Sequence, residues 1–407
     1  MINALNLRLD TIGLVLIIAM LFFEVLSSPI RYYSSFLGLS AIYYLPKVLL
    51  FLFAALKVLV AKNYYKWMFL LFLLVEIIYG VLNNGVISSL FSFYTWTPLW
   101  ALFFIDHNIF SDKIFEKVIR YVFLITVIGV FLDTMIEFPW VGFELEILGT
   151  NVEGNREWWT AGVSRISGFT RMSAHTAIII MVSSIYLLYG YRNNYIKIFL
   201  YLLTLACLIL TTTKAAIGAF LILTPFLFGL RSLSISMFLL LSLLISNVVL
   251  IIGSVGFGLN FENPKSIVEI FLFRSFDIRL EDTWPEFYAT LLNSSNYIVS
   301  LLGTGFGGVG SVIKSFGDVG FEALSTADNS ILYIYGLFGI FGIIFHLYIY
   351  RLCGKLIFSE ETSTIKLGFV LLGCLIVGTT TDIFENVIIL LVIGFCFYKE
   401  ASNNVYR

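Results

Sequence analysis

The chain of 407 residues is 59% hydrophobic and only 13% charged. Its mean hydropathy is +0.95, which places it among integral membrane proteins and excludes a soluble globular domain. A net charge of −1 leaves neither a basic nucleic-acid footprint nor an acidic arm, and the four cysteines (Cys207, Cys353, Cys374, Cys396) sit in apolar runs without metal spacing, so neither disulfides nor a zinc site is expected.

The N-terminus lacks a signal-peptide cleavage pattern, so its first apolar run, Ile12 to Leu26, is expected to stay as an uncleaved span. Apolar windows long enough to cross a bilayer fall at 11–28, 35–57, 66–83, 86–105, 117–136, 172–190, 195–212, 214–230, 233–253, 328–350, 365–381 and 383–398. The expected fold class is therefore all-α: a polytopic membrane protein with about 12 transmembrane helices, forming a single integral membrane domain over residues 1–407. Asn83-Asn84-Gly85 predicts a tight turn and Pro46 a kink in the second span. No internal repeat of the kind that builds transporters is visible.

Orientation follows from Lys and Arg in the short connections. Lys57, Lys62, Lys66, Lys113, Lys117, Arg120, Arg192, Lys197, Arg231, Arg351, Lys355 and Lys366 fall on one side, and Lys399 and Arg407 in the tail agree. The opposite connections at 83–85 and 379–382 carry no Lys or Arg, and 29–34 carries only Arg31. Both termini are thus expected in the cytoplasm, with two large extracytoplasmic loops, residues 137–171 and 254–327. The second loop reads as a folded cap. Thr283-Trp284-Pro285-Glu286 is a capping box that opens a helix to about Asn293. Trp284, Tyr288, Leu291 and Leu292 recur at helical spacing, which suits a short amphipathic helix on the membrane surface, and Ile267–Phe276 is a second candidate.

Candidate functional residues cluster on the outer side. Arg165 and Arg171 close the first loop, Lys214 stands at the tight junction after Thr211-Thr212-Thr213, and Arg274 and Arg279 lie in the second loop. Each arginine read alone snorkels or pairs locally with Asp277, Glu281 or Asp282. Read as a converging set, they form a pocket for a phosphate or pyrophosphate, whose oxygens match the guanidinium fork. His175 and Asp328 are the candidate bases, although Ser325-x-x-Asp328 is itself a capping box. His346 lies mid-span and reads as a packed core histidine, and His107 has no partner pattern. Glu24 and Glu76 are isolated acids in apolar spans, suited to pairing across helices or to ion coupling. Gly303-Thr304-Gly305-Phe306-Gly307-Gly308 matches GxGxxG in form only, because no strand–turn–helix unit surrounds it. Gly305 is expected to let the loop turn tightly or approach a ligand.

The order of motifs is Arg165-Ile-Ser-Gly168-Phe-Thr, Thr211-Thr-Thr-Lys214-Ala-Ala-Ile-Gly218, Arg279 followed by Trp284, Gly303-Thr-Gly305-Phe-Gly307, then Asp328-Asn329-Ser-Ile-Leu332 with Gly336 and Gly339. That order resembles the O-antigen polymerase and O-antigen ligase superfamily of bacterial envelope glycosyltransferases, over essentially the whole chain. The resemblance implies an inner-membrane enzyme that joins oligosaccharide repeat units carried on undecaprenyl pyrophosphate at the periplasmic face, with no cofactor, nucleotide sugar or required metal. It implies that Arg279 and Lys214 hold the pyrophosphate; Arg165, with Arg171 secondary, is assigned to the same donor contacts from its place on the outer side. Asp328 or His175 would then act as base, with Trp284, Gly305 and Asn329 positioning the glycan or the loop. Membrane lipid and a chain-length regulator protein are the further partners implied. Lys214 stands where the family has an arginine, and Asp328-Asn329 stands where ligases carry His-Asn, which favours polymerase over ligase. The alternatives are a ligase, or a flippase using Glu24 and Glu76.

Overall fold

The computed structural model describes residues 2–60, 64–104, 112–147, 150–157, 159–160, 163–230, 232–257, 267–292, 297–316 and 319–405. His107, Arg231, Lys62 and the expected helix end at Asn293 fall outside them. The described chain is predominantly helical. It begins with α1 (Ile2–Val25), α2 (Ser27–Phe36), α3 (Leu45–Val60), α4 (Tyr64–Asn84), α5 (Val86–Thr95), α6 (Thr97–Phe103) and α7 (Asp112–Met135). Four short strands follow in the first loop: β1 (Glu144–Ile147), β2 (Thr150–Glu153), β3 (Trp159–Thr160) and β4 (Val163–Ser164). Next come α8 (Ser173–Gly190), α9 (Asn194–Thr211), α10 (Lys214–Leu227), α11 (Leu233–Phe257), α12 (Ile267–Ile278), α13 (Trp284–Leu292), α14 (Tyr297–Leu302) and α15 (Ser311–Phe316). The chain closes with α16 (Ser330–Ile357), α17 (Thr362–Val377) and α18 (Val387–Val405).

Each of the twelve apolar windows falls on a helix or a helix pair. Among the described residues, seven helices are long and apolar enough to cross a membrane, and nine if each of two bent pairs is one span. The protein is thus a multi-pass membrane protein by the length and composition of its helices. Apolar runs favour helices because every backbone polar group is then satisfied inside the segment. α8 is 78% buried over its apolar window, whereas α4 and α11 are each only 17% buried. The former sits in the interior of the bundle; the latter two form its apolar rim.

In the described residues of the first loop, β1 pairs with β2 and β3 with β4 as two small antiparallel ribbons. Three expectations about local structure are corrected. Pro46 does not kink a span. It sits at the second residue of α3, where its missing N–H would be unsatisfied in any case, and the sharp bend falls instead between α1 and α2, at 85°. Thr283 does not cap a helix. Residues keep helical dihedrals from α12 through a π-helical turn, Arg279–Thr283, into α13. Nor is the apolar face of α13 free to face a membrane, because it turns into the protein: Trp284 and Phe287 are 0% exposed and Leu291 1%. The Trp284 ring meets Phe276 edge-on at 6.1 Å. A side chain sealed in this way packs the cap and does not touch glycan.

The glycine-rich loop after α14 packs against protein backbone. Gly303 N–H donates to Val299 O, Thr304 N–H to Gly336 O and Gly305 N–H to Leu337 O, each at 2.8 Å. Asn84 Nδ2 donates to Thr304 O and Phe306 O at 2.8 and 3.1 Å. Gly305 has φ +74°, and a Cβ there would stand 2.8 Å from Gly80 N. The loop thus locks α4 to α16 and makes its close approach to the protein itself.

Candidate functional site

The end of the first loop is stapled in place by buried hydrogen bonds. Asp133 on α7 accepts from Ser167 N–H and Gly168 N–H at 3.1 and 2.8 Å. Asn155 Nδ2 donates to Ser28 Oγ at 2.9 Å and Thr170 O at 3.2 Å. Arg171 N–H donates to Ser27 Oγ at 2.9 Å. These contacts aim Arg165 toward the junction of α9 and α10. There its Nε donates to Thr212 Oγ1 at 2.9 Å and its Nη2 to Thr212 O at 3.0 Å. Thr212 adopts a left-handed φ of +52°, which turns the chain so that Lys214 becomes the first residue of α10.

Arg279 arrives from the π-helical turn, a local widening that often marks functional positions. Its Nη1 donates to Ser275 O at 2.7 Å, and its Nε lies 3.2 Å from Asp328 Oδ2. The N–H is not aligned with that oxygen, so the contact is Coulombic and easily exchanged. Burial and the charge of Arg279 together pull the Arg165 guanidinium below its usual value. Lys214 feels the charges of both arginines. Three of the five outer cations singled out in the sequence, Arg165, Lys214 and Arg279, therefore lie within electrostatic reach of one another, from segments far apart in the chain.

Arg171 and His175 belong to a second group. The helix starts at Ser173, so Arg171 precedes it and His175 stands in its first turn. Both line a cavity of about 650 Å³ with Arg31, Lys47, Arg156 and Asp328. Burial, with Arg31 and Arg156 nearby, lowers the Arg171 guanidinium to about 10. Asp328 lines the same cavity and contacts Arg279 as well. It is not a capping acid: it has a strained φ of +45° and precedes the helix.

Asn329 holds the cap position. Its Oδ1 accepts from Ile331 N–H at 2.8 Å and Leu332 N–H at 3.3 Å, and its Nδ2 donates to Thr379 O at 2.9 Å and Asn247 Oδ1 at 3.2 Å. At 0% exposure it supports α16 and cannot contact glycan. Asn329→Ala should lower stability by about 2 kcal/mol, from the lost cap and the orphaned buried partners. Thermal unfolding in detergent measures this.

Glu24 lines the cavity. Glu76 is buried on α4, and its Oε2 has no hydrogen-bond partner. His346 packs against the Tyr350 and Phe384 rings at 5.3 and 6.1 Å, as a core histidine does.

Sequence reasoning passed over Asp382 and Glu385, in the turn between α17 and α18, because that turn was read only for its lack of Lys and Arg. Both line the cavity. Glu385 Oε1 accepts from Ser311 N–H at 2.7 Å and Asp382 Oδ1 from Phe384 N–H at 2.8 Å, while Asp382 Oδ2 is buried without a partner. The available signal was two acids on the same outer side as the candidate cations. Burial and the neighbouring Glu385 push the Asp382 carboxyl well above the usual carboxylate range. A raised carboxyl value means the folded state binds that proton more tightly than the unfolded chain. Stability is therefore lost as pH rises from the unfolded value of about 4 toward the folded one. The melting advantage of Asp382→Asn over the native protein in detergent should widen between about pH 4 and 7; a constant gap would show an ordinary carboxyl.

No protein-family model matches the chain, and no curated protein does.

Proposed function

We propose that the chain is an O-antigen or capsule-type repeat-unit polymerase of a bacterial inner membrane. In this reading it crosses the membrane twelve times, keeps both termini in the cytoplasm and works at the periplasmic face. The observation that carries the reading is that Arg165 and Lys214 lie within electrostatic reach of Arg279, which contacts Asp328 on the wall of a cavity of about 650 Å³. Fixed cations gathered before any ligand arrives are what a departing diphosphate requires.

The acceptor hydroxyl oxygen attacks the anomeric carbon of the growing chain. The bond from that carbon to the diphosphate oxygen breaks, and undecaprenyl pyrophosphate leaves with the electron pair. The hydroxyl proton passes to Asp328. Incoming diphosphate draws Arg279 away from Asp328, which leaves the carboxylate oxygens open to accept that proton. Arg165 and Lys214 hold the remaining phosphate oxygens.

A strain lacking the protein should make lipopolysaccharide with one repeat on its core instead of a ladder. Naked core would favour a ligase or flippase. Lys214→Ala, at unchanged protein level, should also give the single-repeat band, and an undisturbed ladder would remove the pocket from the reaction.

A further inference from the structure

α2 is amphipathic in the sense opposite to that of a helix on a water-facing surface. Its polar residues Ser27, Ser28, Arg31 and Ser34 fall on one face, and all four are buried. Protein occupies that face. Ser28 Oγ donates to Thr170 O at 2.9 Å and Ser27 Oγ accepts from Arg171 N–H at 2.9 Å. The Arg31 guanidinium lies 4.0 Å from the Tyr43 ring centroid and lines the cavity. The opposite face carries Tyr33, Phe36 and Leu37, the last two 70% and 74% exposed. Tyr33 and Phe36 meet the Tyr32 ring edge-on at 5.3 and 4.9 Å, contacts that leave most of each ring open.

This apolar edge continues past the helix. Leu39 N–H donates to Ser34 O at 2.8 Å and Ile42 N–H to Leu39 O at 2.9 Å, so the chain passes directly into the 3-10 turn Ser40–Tyr44 and then α3. Residues Ser40–Lys57 are long and apolar enough to cross a membrane. Along them Ile42, Leu45, Leu49 and Leu52 recur at helical spacing and are exposed, which is the lipid-facing side of a span. Leu39, Leu37 and Phe36 extend that side onto α2.

The direction of α2 agrees. α1 has 24 residues, about 36 Å at 1.5 Å per residue, and needs no help to cross roughly 30 Å of hydrocarbon. α2 leaves it at 85°, so with α1 across the bilayer α2 runs along the bilayer plane.

We infer that α2 and the Ser40–Tyr44 turn form an in-plane interfacial element, with the edge of Phe36, Leu37 and Leu39 sunk among the acyl chains of the bilayer. Lipid is the occupant because the edge runs unbroken into the lipid-facing side of a span, and apolar patches of this kind mark contact surfaces. Arg31 and Tyr33 stand on opposite faces of a helix about 10–12 Å across. The cavity therefore lies one helix width from the bilayer, with α2 as the wall between them. This surface is independent of the reaction carried out in the cavity.

A bimane label on Leu37→Cys tests the inference in the full chain in nanodiscs; the four native cysteines are buried. Quenching by lipids bearing a nitroxide at the headgroup or along the acyl chain should place the label about 5–10 Å below the phosphates. Labels on Leu45→Cys and Leu52→Cys should lie progressively deeper, and aqueous iodide should reach none of the three. Asp282→Cys, at an exposed polar position, should respond to iodide and not to lipid. Iodide quenching at Leu37 equal to that at Asp282 would put the edge in water and overturn the inference. Shielding from both quenchers would overturn it too, since protein would then cover the edge; lipid quenching gained only at one chain per disc would name a second copy as the cover. Leu39→Cys repeats the reading should Leu37→Cys extract poorly. Both variants should melt with the native protein in detergent, because both side chains are more than half exposed.

Discussion

Arg279→Ala should slow chain lengthening on purified lipid-linked repeat units by about 10²–10³-fold, the usual effect of removing one preorganised charge from a transition state. Folding should hardly change. The Arg279 side chain is 21% exposed and that of Asp328 36%, and an ion pair so open to solvent contributes about 1 kcal/mol or less. Arg279→Lys keeps the charge but loses the planar fork, so an intermediate rate is expected. Asp328→Asn separates the two roles: it should cut the rate while leaving farnesyl diphosphate affinity unchanged or raised, because Arg279 no longer has a competitor. If Arg279→Ala elongates at the native rate, the cation group has no part in catalysis.

Gly339→Ala should cost about 3 kcal/mol or more, enough to remove most folded protein from detergent extracts. Gly339 interrupts α16 with φ +54° and ψ −132°, a region open in practice only to glycine. An added Cβ would stand 2.0 Å from Leu301 O, the backbone of α14, so no rotamer relieves the clash. The bend is what lets α14 and the glycine-rich loop reach the Gly336 and Leu337 carbonyls. Gly218 is the control: it lies within α10 and a Cβ there meets nothing within 4 Å. Gly218→Ala should be neutral or stabilising by about 0.5–1 kcal/mol. Size-exclusion profiles and melting curves of the two variants should diverge; equal behaviour would mean that the bend in α16 is not required.

Charge was the part of the site that could be read along the chain. Arg165, Lys214 and Arg279 were legible as cations outside the apolar windows, and the structure brings their charges within reach of one another. Arg31 was noted only as a lone arginine in a short connection, and its burial against Tyr43 depends on the turn between α1 and α2. Asp382 and Glu385 stood in a turn read only for its lack of Lys and Arg, and what burial does to a carboxyl is fixed by the neighbours that enclose it. Trp284 and Asn329 carried strong local signals, a helix start and a polar cap, but local signals do not say which face is enclosed. Trp284 is sealed into the cap and Asn329 holds the start of α16.

The sequence by itself determined the helical, membrane-embedded class and the apolar windows, because hydropathy is a sum over neighbouring residues and the bilayer reads that sum directly. Tertiary structure alone decided which charges share a space and which glycines touch backbone. It also decided that a cavity opens between Arg31 and Asp328. Those facts depend on distances between segments up to about three hundred residues apart, brought together by the packing of nearly featureless apolar helices.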